Sequence, residues 1–168
     1  MREFFIDTIP SPLGTVRVVT DDECLRALDF ADYEQRMQTL LARHYGAVCL
    51  VEKRDPIGAS RAVARYFAGE LEALNAIPTA TQGTDFQRAV WRSLCEIPAG
   101  TTISYGELAR RIGKPAASRA VGLANGSNPI AIAVPCHRVI GANGDLTGYG
   151  GGMERKRWLL MHEGALAR

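Results

Sequence analysis

The chain has no paired cysteines of the kind that mark a zinc site or a disulfide framework. Its four, Cys24, Cys49, Cys95 and Cys136, are scattered with no CxxC spacing, so reduced thiols and no metal are expected. It has no apolar run approaching the roughly 18 residues of a membrane span. Its first residues, Met1-Arg2-Glu3-Phe4-Phe5-Ile6-Asp7, meet acid too early for a secretory signal, so a cytoplasmic protein without membrane contact is expected. It has no internal repeat and no low-complexity tract. The six glycines between Gly141 and Gly152 are not followed by a Lys-Ser/Thr pair and open no Rossmann-type unit, which argues against nucleotide triphosphate binding.

What is present is an ordinary globular composition, 168 residues with 46% apolar and 23% charged side chains, enough for one or two small domains. The net charge of +2 is unevenly spread. Residues 1–80 carry 9 basic and 12 acidic side chains, whereas residues 81–168 carry 11 and 6, a bias toward a polyanionic partner in the second half. Phe4–Ile9, Thr15–Thr20 and Cys24–Phe30 predict three strands of an antiparallel meander, with turn chemistry in Pro10-Ser11-Pro12-Leu13-Gly14. Helical spacing predicts helices over 34–45 and 60–71, and residues 47–51 read as a further strand. Asn75 to Gly83 has linker composition and sets the domain boundary. Beyond it, helices are predicted from Thr84 or Asp85 to before Pro98, and over 154–162. Cys24, Cys49 and Cys95 read as small core-filling hydrophobes.

The most informative stretch is Pro135-Cys136-His137-Arg138, at the end of the strand-like run Ala131-Ile132-Ala133-Val134. A thiol attacks as the thiolate, so a nucleophile at the edge of a core needs a base, and His137 is adjacent. Neighbouring side chains of an extended chain point to opposite faces, so a direct bond requires a tight turn or a bridging water. The plainer reading is a buried cysteine beside a surface histidine.

Ser104 to Ile112 reads as a helix opened by a capping box of Ser104 and Glu107, and Gly113-Lys114-Pro115 ends it. Ala116 to Ala124 follows as a second helix, which completes a helix-turn-helix. The second helix is nearly bald: Ala116, Ala117, Ser118, Ala120, Gly122 and Ala124 leave only Arg119, Val121 and Leu123 with size. Major-groove readers need long polar side chains, whereas a smooth helix suits the minor groove, with one arginine as a wedge. The same smallness also fits two helices packed through alanines with Arg119 in water. The glycine-rich segment can wrap a planar ligand against Tyr149, or be a plain surface loop.

Taken in order, Ile103-Ser-Tyr-Gly-Glu-Leu-Ala109, Ser118-Arg-Ala-Val-Gly122, Asn128-Pro129, Val134-Pro-Cys-His-Arg-Val-Ile140, Gly148-Tyr-Gly-Gly-Gly152 and Leu159-Leu-Met-His-Glu163 resemble the O6-alkylguanine-DNA alkyltransferases, the methylated-DNA–protein-cysteine methyltransferases. The resemblance spans most of residues 84–163 and implies an α+β fold. A ribonuclease-H-like N-terminal domain with a small antiparallel sheet (1–80) would precede a mostly helical, winged-helix-like domain bearing the helix-turn-helix (81–168). It implies DNA repair by single-turnover transfer of an alkyl group from O6-alkylguanine in double-stranded DNA to Cys136, with O4-alkylthymine as a further substrate left open. His137 would draw off the thiol proton through a water, Glu163 would orient His137, and Asn128 would hold the turn. Tyr105 would help rotate the nucleotide out and protonate the base. Arg119 would fill the gap in the duplex, on a DNA-binding surface of Ala117, Ser118, Ala120, Gly122 and Tyr105. Val139, Tyr149 and Gly150 would line the base pocket with Tyr105. Asn125-Gly126-Ser127 and Gly150 differ from the residues at the matching places in the family's human member. No metal, no cofactor and a monomer, with cooperative loading on DNA left open, complete the expectation.

Two other classes are weighed against it. A non-catalytic protein that binds alkyl lesions would share the arginine and the helix-turn-helix but would lack the cysteine. A cysteine hydrolase would predict turnover and would give no reason for a smooth DNA-facing helix.

Overall fold

The computed structural model describes residues 1–167, which fall into two compact units, Met1–Gln82 and a second that begins at Gly83. In the first unit β1 (Arg2–Ile9), β2 (Val16–Thr20) and β3 (Leu25–Phe30) form the expected antiparallel meander. Helix α1 (Glu34–Tyr45) then carries the chain back to β4 (Val48–Glu52), which pairs parallel with β1, so the sheet order is β3-β2-β1-β4 and the sheet is mixed rather than purely antiparallel. A helical crossover returns the chain to the end where the previous strand began, and this fixes the parallel direction. Alternation along β1 turns Phe4 and Ile6 inward, where they pack with Val19, Ala27, Met37 and Leu41. Helix α2 (Ala59–Phe67) is shorter than its sequence pattern implied. The linker-like stretch is pinned in part: Leu25 N–H donates to Pro78 O, and Ala80 N–H donates to Leu25 O.

The cysteines correct one expectation. Cys49 and Cys95 are exposed and Cys24 is partly buried, so the core-filling role fails for the first two. Cys49 lies on an edge strand whose residues alternate outward, and Cys95 follows the last turn of a helix.

The second unit opens with α3 (Asp85–Leu94), started by a capping box in which Thr84 Oγ1 accepts from Gln87 N–H and Gln87 Oε1 accepts from Thr84 N–H. At the next helix, α4 (Tyr105–Arg111), only half of the expected box forms. Ser104 Oγ accepts from Glu107 N–H, but the Glu107 carboxylate pairs with Arg110 and Arg111 instead. Gly113, at φ 76°, ends this helix in a left-handed conformation that glycine adopts without a steric penalty. Helix α5 (Ser118–Gly126) completes the helix-turn-helix and begins two residues later than the sequence pattern implied. Its Val121 and Ala124 are buried, and Trp91 Nε1–H donates to Ala124 O at 2.8 Å, which fixes α5 against α3. A two-stranded parallel pair, β5 (Ile103–Ser104) with β6 (Val139–Ile140), and α6 (Met153–His162) close the unit.

Candidate active site

The run before the cysteine is not a strand. Ile130 to Val134 is buried apart from half-buried Ala133, but it is folded into tight turns, with Ile132 at φ 70°. Asn128 explains this. Its buried amide Nδ2 donates to Val134 O at 2.7 Å and to Ile130 O at 3.4 Å, while its Oδ1 accepts from Ile130 N–H at 3.0 Å. A side chain that supplies both donors and acceptors takes over the work of a neighbouring strand. The compact turn delivers Cys136 into a short 3-10 turn, Cys136–Arg138, where its side chain is buried and 6% exposed. Asn125, near the end of α5, donates from Nδ2 to Cys136 O at 3.3 Å and holds the cysteine's own backbone.

His137 is wholly buried, not on the surface. Its Nε2 lies 2.8 Å from Glu163 Oε2. Arg138, the next residue, donates to both Glu163 oxygens, Nε to Oε1 at 2.8 Å and Nη2 to Oε2 at 2.9 Å, and gives Nη1 to Ile97 O at 2.6 Å. Burial alone would raise the Glu163 pKa, but the hydrogen bonds from Arg138 and His137 hold it far below the usual carboxylate range. An ionised carboxylate only accepts, so Nε2 carries the proton of the Nε2···Glu163 bond. Burial lowers the His137 pKa more than Glu163 raises it, which keeps the ring neutral near pH 7. A neutral ring with its proton on Nε2 leaves a lone pair on Nδ1, and that atom is buried and makes no hydrogen bond within the protein. Nδ1 is therefore a proton acceptor beside the thiol-bearing residue.

Tyr105, at the start of α4, is partly buried, and burial raises its pKa, so the phenol keeps its proton. Its hydroxyl donates to Thr147 O at 2.9 Å, which brings the glycine-rich loop over it. Gly148 has φ 67°, and a Cβ there would sit 2.9 Å from the Tyr105 oxygen, so this position requires glycine twice over. Tyr149 is buried and meets the His137 ring edge-on, with centroids 6.5 Å apart. Val139 is buried, and its carbonyl accepts from Lys156 Nζ, while Gly150 is half-buried on the same loop.

The turn-and-triad residues Cys136, His137, Glu163 and Asn128 thus share one buried cluster, and Tyr105 and Tyr149 join it through the loop. Arg119, Ser118 and Ala120 lie exposed on α5, with Ala117 and Gly122 half-buried. Leu123, one turn beyond Arg119, is 74% exposed. Sequence reasoning missed Arg138, Lys156 and the role of Asn125. Lys156 sits within Glu154-Arg155-Lys156-Arg157, a run that reads as a solvated helix face. Among the described residues no group of three or more His, Cys, Asp or Glu side chains is placed to hold a metal ion, and no helix is long and apolar enough to cross a membrane.

Comparison with known proteins adds independent support. Residues 85–165 match the 6-O-methylguanine DNA methyltransferase, DNA binding domain, and residues 5–81 match its ribonuclease-like domain. The chain is 50% identical over 169 residues to the methylated-DNA–protein-cysteine methyltransferase of Shigella flexneri, and 52% identical over 169 residues to that of Salmonella typhimurium, covering 99% of each chain in both cases. It is also similar to the crystal structure of Mycobacterium tuberculosis OGT in complex with DNA, with a TM-score of 0.80 and 43% identity over 97% of this chain and 93% of that one. The two-domain architecture, the buried cysteine-histidine-glutamate cluster and full-length identity at this level together establish that the chain belongs to the 6-O-methylguanine DNA methyltransferase family.

Proposed function

We propose that this family member repairs double-stranded DNA by moving an alkyl group from the O6 atom of an alkylated guanine to Cys136, once per protein molecule. The observation that carries the reading is the neutral, fully buried His137, its proton held on Nε2 by Glu163, directly after a buried cysteine. Nδ1 takes the thiol proton, through a water where the tight turn keeps the two side chains apart. The sulfur then attacks the alkyl carbon, a C–S bond forms and the C–O6 bond breaks, with the electron pair returning to the purine. Tyr105 delivers a proton to guanine N3, so one proton leaves the thiol, one reaches the base, and the imidazolium returns its proton to the phenolate through solvent. Glu163 and Arg138 balance the transient charge on His137. A thioether has no ready hydrolysis route, which limits the protein to one turnover.

The substrate atom is shielded inside a stacked duplex, so the nucleotide must be rotated out before reaction. The exposed small-residue face of α5 supports a minor-groove approach in which Ser118, Ala120 and the backbone at Ala117 and Gly122 meet the duplex and Arg119 fills the gap. Tyr105, Tyr149, Val139 and Gly150 receive the base. In this reading residues 1–80 form the ribonuclease-H-like domain, residues 81–168 carry DNA binding and transfer, and the protein works as a cytoplasmic monomer. The presence of Cys136 with its base favours transfer over lesion binding alone.

The direct test is a labelled O6-methylguanine duplex. Label is expected on Cys136 at no more than one methyl per protein and absent from Cys136→Ala. Lesion binding without transfer by the intact, reduced protein would overturn the proposal.

A further inference from the structure

Lys156 is the most unusual buried group that the reaction above does not use. Its side chain is completely buried in α6, and its ammonium donates to two backbone carbonyls, Val139 O and Thr147 O, each at 2.6 Å. The first belongs to the strand that leaves the nucleophile's turn, and the second to the glycine-rich loop. Thr147 O is also the acceptor of the Tyr105 hydroxyl, so one carbonyl oxygen joins Tyr105 to Lys156. The ammonium lies 6.0 Å from the centre of the Tyr105 ring.

We propose that Lys156 is a positioning residue for alkyl transfer: its ammonium staples the glycine-rich loop to the strand after Cys136 and, through the shared Thr147 carbonyl, sets the hydroxyl of Tyr105. The inference rests on the assignment of Cys136 as alkyl acceptor and Tyr105 as proton donor. Three observations carry it. A buried ammonium is costly unless its donors are satisfied, and these two bonds are short and charge-assisted. The loop and Tyr105 are also coupled sterically, because Gly148 leaves no room for a Cβ beside the Tyr105 oxygen. Burial lowers the Lys156 pKa to about 8, while the charge of Cys136 raises it, so the cation and a thiolate at Cys136 stabilise each other. The same cation helps to keep His137 neutral.

The geometry also explains why the staple must act through carbonyls. Val139 O and the loop backbone are the groups offered to the flipped base, and a carbonyl has two lone pairs. Lys156 can hold one lone pair of Val139 O and leave the other toward the pocket. For Tyr105, the bond to Thr147 O points the hydroxyl at a defined place, from which it must turn to reach the base.

The test is single-turnover methyl transfer from an O6-methylguanine duplex to the full chain, with duplex concentration varied to separate apparent affinity from the limiting rate. Lys156→Met is expected to lower the limiting rate about 100-fold and to leave apparent affinity within about threefold, the pattern of an interaction that matters in the transition state. Tyr105→Phe combined with Lys156→Met should be little slower than the slower single variant, because both act through one carbonyl. Gly148→Ala, which keeps Lys156 but crowds the Tyr105 oxygen, should reproduce the rate loss and decides the matter if Lys156→Met fails to fold. A Lys156→Met rate within about threefold of the parent, fully multiplicative losses with Tyr105→Phe, or a Gly148→Ala variant with the parent rate would each overturn the proposal. Absence of transfer by the unmodified protein would instead strike the underlying assignment.

Discussion

Asp29, on β3 of the first unit, and Glu163, just after α6 of the second, are buried to the same degree, 4% and 5% exposed. Both pair with an arginine. Asp29 accepts from Arg36 Nη1 at 2.8 Å and from Phe30 N–H at 2.9 Å, and its pKa is nevertheless raised, because burial outweighs these bonds. Glu163 accepts two N–H bonds from Arg138 and one from His137, and its pKa falls despite burial. Depth of burial therefore does not set the direction in which a carboxylate's pKa moves. The number and charge of its donors do. The first pair ends at an arginine that is 25% exposed, while the second ends at an arginine that is 9% exposed and belongs to the turn that carries Cys136.

The largest effect follows from breaking the second pair and comparing it with the first. Glu163→Gln is expected to lower the limiting transfer rate by about 100-fold or more, since it replaces the charged acceptor that holds the His137 proton on Nε2, and that balances the imidazolium, with a neutral amide. It should also lower unfolding stability by about 3 kcal/mol, because Arg138 is left buried without its counter-charge. Asp29→Asn should leave transfer within about threefold of the parent and cost about 1 kcal/mol or less, because Arg36 can turn to water. Single-turnover transfer and urea unfolding of both variants make the comparison, and matching losses in the two would break it.

A second, smaller effect concerns the histidine that Glu163 serves. Burial holds the His137 pKa below its ordinary value of 6.5. The transfer rate should therefore stay level as pH falls from neutrality through 6.5, and drop only when His137 gains a proton at lower pH. A rate that halves near pH 6.5 would show an ordinary, solvated imidazole. The measurement is the limiting rate across pH 5 to 8 at saturating duplex.

The centre of the active-site cluster was legible because it is local in sequence. Cys136, His137 and Arg138 are consecutive, and Ser104 and Gly113 punctuate α4 as local turn chemistry requires. The bond from Glu163 to Arg138 spans 25 residues, and that from Lys156 to Val139 spans 17, so neither leaves a periodic signal. Lys156 was hidden further by its charged neighbours. The turn at 130–134 misled for another reason: an apolar run reads alike whether a strand or an Asn128-braced turn buries it. In the first unit the β-branched alternation of β2 and the turn residues before it exposed the meander, but the parallel partner of β1 depended on a crossover that no local pattern encodes.

The smallest effect sharpens the comparison through acid stability, where the two carboxylates have opposite signs. The folded pKa of Glu163 is depressed below its ordinary 4.5, so its contribution is complete above pH 4.5 and is lost as pH falls toward the folded value. The folded pKa of Asp29 is raised above its ordinary 3.8, so the folded protein takes up that proton before the unfolded chain does. Ionised Asp29 is thus a cost near neutrality that is relieved as pH falls through its folded pKa to 3.8. His137, with its depressed pKa, adds a loss that begins below pH 6.5, and this loss is common to the parent and to Asp29→Asn. Subtracting the two proteins therefore isolates Asp29. Urea unfolding between pH 6 and 3.5 should show the parent gaining on Asp29→Asn as the solution becomes more acid. A constant difference would mean that the Arg36 bond already balances burial, and that one well-placed arginine suffices without the second donor seen at Glu163.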